Sequence, residues 1–495
     1  MSVTALHLLG RELASSPERI RGAMEIAGIV TVVVFLAMTF QVPESAISCY
    51  LVYYAWRDNS GAMVFEPAKL LLAVTIAIAI AIPLLNVTVD DPILRLLLIA
   101  VFTFVGMFLS QASKLGSMAS TAGFVFAFAL TLFDIIPIPE IMSRTLLWLC
   151  AVMALPMGTM AIWGMLGAVR SSRRLEGIVA ARDQAVKDPQ GFKASALLDE
   201  GMERTDELLK LAWLMGEPTG DLPARADDSF FRLALAEAGV TPRASSGFCA
   251  PDKKPFFHPE AFRDPRHVRF ALKVTLAVAI TYGFYTAFGM FEIHTAMITC
   301  FYVALASRGE TNHKITLRLS GCLLGAALGV TAVRLLMPHM TDIGHLLLLV
   351  APVAFVAAWI ALGSERISYA GWQLALCFFL VILHGFGPQF DISAATDRIV
   401  GILVGSVAMW AVFSAVWPVS AEDDARAALE EFNSRMNQAA RPKTGREVAF
   451  LREPLAEAAR LLERARFEEK QHEAAAPLEA ARQRYFDLLR GNIHA

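Results

Sequence analysis

Lys69 and Arg318 stand at corresponding places near the starts of two apolar runs, about 250 residues apart. Arg144 and Arg398 stand in the same way before two other runs. A charged side chain at the bilayer centre costs several kcal/mol, roughly 2.5–3.5 on the most lenient scale, so such a group lines a pathway by default. The plain alternative is that each snorkels to the head groups. Recurrence at matched positions favours the pathway, because an incidental anchor need not survive divergence of two copies. With Arg334 and Asp397, these cations outline a route that attracts carboxylates. An anion leaving the inner side would meet Arg318 first and Arg398 last, with Asp397 beside the latter to weaken the hold. Glu44 and Glu292, followed by His294, sit at the outer turn of the first hairpin of each half and are the candidates for proton coupling. His294 also has an ordinary reading as an interfacial histidine.

Catalytic signatures are absent. There is no GxxxxGK followed by Ser or Thr, no HExxH and no GxSxG. Six cysteines include no CxxC pair, and most sit in apolar runs (Cys49, Cys150, Cys300, Cys322, Cys377), where they act as small hydrophobes. The sequence therefore gives no reason to expect an enzyme, a metal or a cofactor. A net charge of −2 and a pI near 6.6 supply no basic field for nucleic acid.

The elements that must position these residues are membrane helices. Hydrophobic residues make up 56% and charged residues 18%, against roughly 25% charged in soluble domains, and the mean hydropathy is +0.50. The runs fall into two similar blocks. Ser48-Cys49-Tyr50 corresponds to Thr299-Cys300-Phe301, and Thr121-Ala122-Gly123-Phe124 to Tyr369-Ala370-Gly371-Trp372. Each block offers six spans, counted against the roughly 20 residues that a crossing helix needs. The second and eighth, 45–56 and 295–306, are short and are expected to be tilted or re-entrant. Duplicated halves with a site between them are the usual build of secondary transporters. The expected fold is thus an all-α polytopic membrane protein of two repeated six-helix blocks.

The domains are read as a cytoplasmic segment 1–22, a membrane block 23–168, a helical insert 169–269, a second block 270–418 and a helical tail 419–495. Arg57, Lys114, Arg308–Lys314 and Arg366 mark the inner loops, and acidic short loops mark the outer ones, as the positive-inside rule asks. Both termini, the insert and the tail then lie in the cytoplasm. The first twenty residues show no cleavable signal. Gly321, Gly325 and Gly329, with Gly401 and Gly405, form small-residue faces expected to pack between halves or subunits. Tyr282, Phe284, Tyr285, Phe288 and Phe291 crowd one span, either as an interfacial belt or as a stacking surface for aromatic cargo.

At Glu310-Thr311-Asn312-His313-Lys314, Arg318-Leu319-Ser320-Gly321, Ser368-Tyr369-Ala370-Gly371-Trp372-Gln373 and Asp397-Arg398-Ile399-Val400-Gly401, the chain resembles the fusaric acid resistance and aromatic acid exporter family. The resemblance covers the whole chain and is strongest from about residue 270 to 418, whereas Phe65–Lys69 lacks the glycine ladder that follows Arg318. It implies an inner-membrane efflux subunit for aromatic carboxylic acids or drugs, driven by the proton gradient. Its implied partners are a periplasmic membrane-fusion adaptor, an outer-membrane channel and the lipid bilayer, with a homo-oligomer expected. A gated organic-anion channel and a membrane-anchored scaffold are the other two readings.

Overall fold

The computed structural model describes residues 16–88, 91–132, 138–245, 255–257, 261–293, 295–304, 308–364, 366–383, 385–387, 393–465 and 475–491. Within them the chain is helical throughout. The first block comprises α1 (Pro17–Thr39), α2 (Ser45–Ala55), α3 (Ser60–Thr88), α4 (Pro92–Ala112), α5 (Ser117–Thr131) and α6 (Pro139–Leu166). The insert contributes α7 (Ser171–Ala185), α8 (Phe192–Asp199), α9 (Glu203–Leu214) and α10 (Leu222–Glu237). The second block comprises α11 (Pro265–Ala287), α12 (Thr295–Val303), α13 (Arg308–Leu335), α14 (Ile343–Ala361), α15 (Ser368–Ile382) and α16 (Ser393–Ala415). The tail adds α17 (Ala421–Gln438), α18 (Gly445–Ala465) and α19 (Ala475–Arg490).

Local sequence sets the helix starts. Ser16-Pro17, Asp91-Pro92 and Asp264-Pro265 each place a side-chain acceptor at the N-cap and a proline in the first turn. The proline lacks an N–H that would go unsatisfied there anyway. Seven described helices are long and apolar enough to cross a membrane. α2 has 11 residues and α12 has 9, short as the sequence reading expects. At 1.5 Å per residue they run about 16 and 14 Å, half of a hydrocarbon core of roughly 30 Å. Conversely α3 and α13 begin well before their apolar runs, carrying Glu66, Lys69, Glu310 and Lys314 into the helices.

The duplication is visible in the packing. Across the two blocks, α1 lies on α14 and α11 lies on α4, while α2 meets α15 and α12 meets α5. Exchanging the halves maps each contact onto its counterpart, the signature of a pseudo-two-fold axis. Gly123 on α5 abuts Gly106 and the carbonyl of Phe102 on α4; Gly371 on α15 abuts Ala361 and the carbonyl of Ala357 on α14. The two glycines that correspond in sequence thus perform the same close approach.

One break in the symmetry matters. A Cβ on Gly321 or Gly325 would lie 2.3 Å from the carbonyl of Ala370 or Leu374, and one on Gly329 would meet Val381 at 2.8 Å. This stripe seats α13 against α15 within the second block, where the sequence reading had such faces between halves or subunits. Gly405 seats α16 on α12 at the Ala296 carbonyl, and Gly401 is buried. No such stripe joins α3 to α5.

The insert and the tail share one apolar core. Phe230, Phe231, Leu233 and Leu235 pack with Phe432, Leu451, Leu455 and Tyr485. Two regions that read separately in the sequence form one helical body, seated at the end of the bundle where α1, α3 and α13 begin.

Candidate functional site

Arg318 is 1% exposed, in the third turn of α13. Its Nη1 donates to the Tyr369 hydroxyl on α15 at 2.9 Å, whereas Nε and Nη2 find no acceptor among the described residues. One turn further along both helices, Gln373 is fully buried; its Oε1 lies 3.7 Å from the Cys322 Sγ, and its Nε2 is unpartnered. Three N–H-bearing atoms on adjacent rungs of the α13–α15 contact are therefore unsatisfied. Buried donors in that state carry a penalty of about 1–3 kcal/mol each, and more when charged. Only an acceptor, preferably an anion, relieves it.

Rings surround the guanidinium. Tyr50 on α2, Tyr302 on α12 and Tyr369 lie within electrostatic reach of it. Tyr54 meets Trp372 edge-on at 6.2 Å, Tyr369 is 6.4 Å from Trp372, and Phe124 of α5 is edge-on to Tyr302 at 5.5 Å. Lys314 lies over the Tyr369 ring at 5.0 Å. Tyr54 and Tyr302 stand in the last turns of the short helices α2 and α12. Arg57 closes α2 by donating to the carbonyls of Tyr54 and Trp56 at 3.0 and 2.8 Å.

A cavity of 760 Å³ opens at the end that carries the insert and tail. Tyr53, Trp56 and Trp372 line its membrane side; Arg174, Glu200 and Arg204 line its other side. Trp372 thus belongs both to this cavity and to the ring cluster beside Arg318.

The body formed by insert and tail grips both halves of the site. In the first half, Asp58 receives Arg174 at 2.8 Å and also Arg204, while Glu217 accepts the Ser60 hydroxyl at 3.0 Å. In the second half, Arg464 of α18 pairs with the buried Glu310, two turns before Arg318, and Glu463 pairs with Arg366.

The other cations chosen from the sequence do not join Arg318. Lys69 is exposed and paired with Glu66 at 2.5 Å, three residues back on its own helix. The match between Lys69 and Arg318 is one of sequence position and not of environment. Arg144, Arg334 and Glu44 are exposed, and Asp397 is half-buried. The side chains of Arg398 and Glu292, and His294 as a whole, lie outside the described residues. Of the aromatic run on α11, Tyr285 is 1% exposed, and Phe288, at 68% exposed, faces outward as a belt residue would. Sequence reasoning passed over Lys273, buried on α11 with its ammonium 5.1 Å from the Phe413 ring. Its signal was a lone lysine in the first turn of an apolar span.

A family model described as fusaric acid resistance protein-like matches residues 278–412. The chain is 26% identical over 483 residues to the multidrug resistance protein MdtO of Escherichia coli O6:H1, covering 82% of this chain and 70% of that protein. MdtO of Shigella flexneri is 26% identical over 466 residues, covering 78% and 68%. The inner membrane protein YccS of Escherichia coli K12 is 28% identical over 151 residues, covering 30% and 20%. No solved structure matches.

Proposed function

We propose, from the match of residues 278–412 to the fusaric acid resistance protein-like family, that the chain exports aromatic carboxylic acids or related drugs across the inner membrane. The observation that carries this reading is the Arg318 site: a buried guanidinium and a buried amide with unsatisfied donors, walled by tyrosine and tryptophan rings. A carboxylate takes the free N–H groups, and its ring stacks on the walls. The names of the MdtO relatives support efflux, and the 760 Å³ cavity supplies an approach to Trp372.

In this reading the end bearing insert and tail is cytoplasmic, both termini lie inside, and cargo enters between Trp56 and Trp372. Export is coupled to protons. Glu44, Glu292 and His294 are the sequence's candidates for that coupling, and Arg398 and Asp397 mark the exit. The short outer loops cannot cross the periplasm, since ten extended residues reach at most about 35 Å. The protein therefore works with a periplasmic adaptor and an outer-membrane channel.

The test compares accumulation of labelled 4-hydroxybenzoate in cells with and without the protein, each with and without a protonophore. Lower accumulation with the protein, abolished by the protonophore, is the expected result. Equal accumulation with and without the protein refutes the proposal.

A further inference from the structure

At the end of the bundle opposite the insert and tail, a second cavity of 360 Å³ lies on the seam between the two blocks. Its walls come from the end of α1 (Met38), the turn between α13 and α14 (Met337, Met340, Asp342) and the end of α15 (Ile382, Phe386). The volume lies in the range of about 300–1,000 Å³ typical of small-molecule sites. Three methionines from two elements are a particular lining. Thioethers are polarisable, repack around different shapes and make favourable contacts with ring edges. Among the described residues no lysine or arginine lines this cavity, and its one carboxylate, Asp342, lies 3.0 Å from the His345 ring nitrogen and caps the start of α14. The chemistry therefore differs from that at Arg318: a ring is held, but the described lining offers a carboxylate no guanidinium or ammonium.

The same two helices connect the sites. From Arg318 to Met337 the chain runs through α13 and the turn at its end; from Tyr369 to Ile382 it runs along α15. The intervening contact is the glycine stripe at Gly321, Gly325 and Gly329.

We propose that the methionine-walled cavity is an outward-side release site, which holds the aromatic ring of cargo after its carboxylate has left Arg318. The hold is weak because no described lysine or arginine in the lining takes the carboxylate. The proposal rests on the exporter reading for its cargo, and on the cavity's own lining for its selectivity.

Met340→Cys places a thiol in the cavity wall, for labelling by a membrane-impermeant maleimide on intact cells; the parent protein gives the background rate. If Met340→Cys does not reach the membrane, Thr39→Cys, also in the wall, replaces it. External 4-hydroxybenzoate at ten times its Kd is expected to slow labelling about tenfold by mass action, and acetate to leave it unchanged. Equal slowing by acetate, or none by 4-hydroxybenzoate at concentrations that saturate export by the parent, overturns the proposal while the exporter reading stands. Failure of the parent to export, with labelling still slowed by 4-hydroxybenzoate but not acetate, overturns the exporter reading and leaves the ring site.

Discussion

Asp227 of the insert accepts the backbone N–H of Gly445 at 2.9 Å, across 218 residues of chain. It takes the N–H of Arg446 as well, so one buried carboxylate caps the start of α18 from another region of the sequence. A Cβ on Gly445 would sit 2.3 Å from the Asp227 carbonyl, so the approach requires glycine. Asp227→Ala leaves two helix-end N–H groups without an acceptor, at about 1–3 kcal/mol each. The tail should then be cut from the insert by trace protease many times faster than in wild type, as read by gel on the detergent-solubilised protein. An unchanged digestion rate would show that the shared apolar core holds the tail alone.

The attachment on the other side depends on pH. Burial alone would raise the Glu217 carboxyl, but the N–H groups of Ser172 and Ser171 and the Ser60 hydroxyl outweigh it and hold the group below its ordinary value of 4.5. A carboxyl depressed in the folded state contributes stability above its unfolded pKa and loses it as pH falls through the folded value. The Tm followed by tryptophan fluorescence should therefore hold steady above about pH 5 and fall below pH 4.5. Glu217→Gln should lower the Tm at neutral pH and flatten its pH dependence. A fall with the same midpoint in the Gln variant would assign the transition to another group.

The α13–α15 seam gives a packing test. Gly325→Ala puts a methyl group 2.3 Å from the Leu374 carbonyl, and such overpacking costs about 1–3 kcal/mol or shifts the helices. Gly28→Ala on α1 meets nothing within 4 Å and should be neutral or slightly stabilising, since alanine is the better helix former. Thermal melts followed by tryptophan fluorescence should show a lower Tm for the first and not for the second. Equal melts would mean that the seam yields freely, contrary to its role in fixing Arg318 beside Tyr369.

The class of fold was written plainly in the chain. Apolar runs, their duplication and cap pairs such as Asp91-Pro92 follow from periods and propensities that act locally. Arg318 was also legible, as a cation after a polar helix start. The lack of acceptors at its Nε and Nη2 was not, because it depends on rings from α2, α12 and α15 that meet only through the pseudo-two-fold packing. Lys69 misled for the complementary reason. Its position matches Arg318, but Glu66 neutralises it on the helix surface and no glycine stripe draws α5 against α3. The union of insert and tail escaped the sequence because Asp227–Gly445 and Arg452–Glu237 join residues more than 200 positions apart.

The central claim is that Arg318 binds the carboxylate of the cargo. The direct measurement is equilibrium binding of labelled 4-hydroxybenzoate to the full chain in nanodiscs, for wild type, Arg318→Gln, Arg318→Lys and Lys69→Gln at matched protein. A hydrogen bond to a charged group is worth about 1.5–3 kcal/mol, so Arg318→Gln should weaken binding roughly 10- to 100-fold. Arg318→Lys, which keeps the charge and loses the planar fork, should fall between, and Lys69→Gln should match wild type. Wild-type affinity in folded Arg318→Gln would contradict the account.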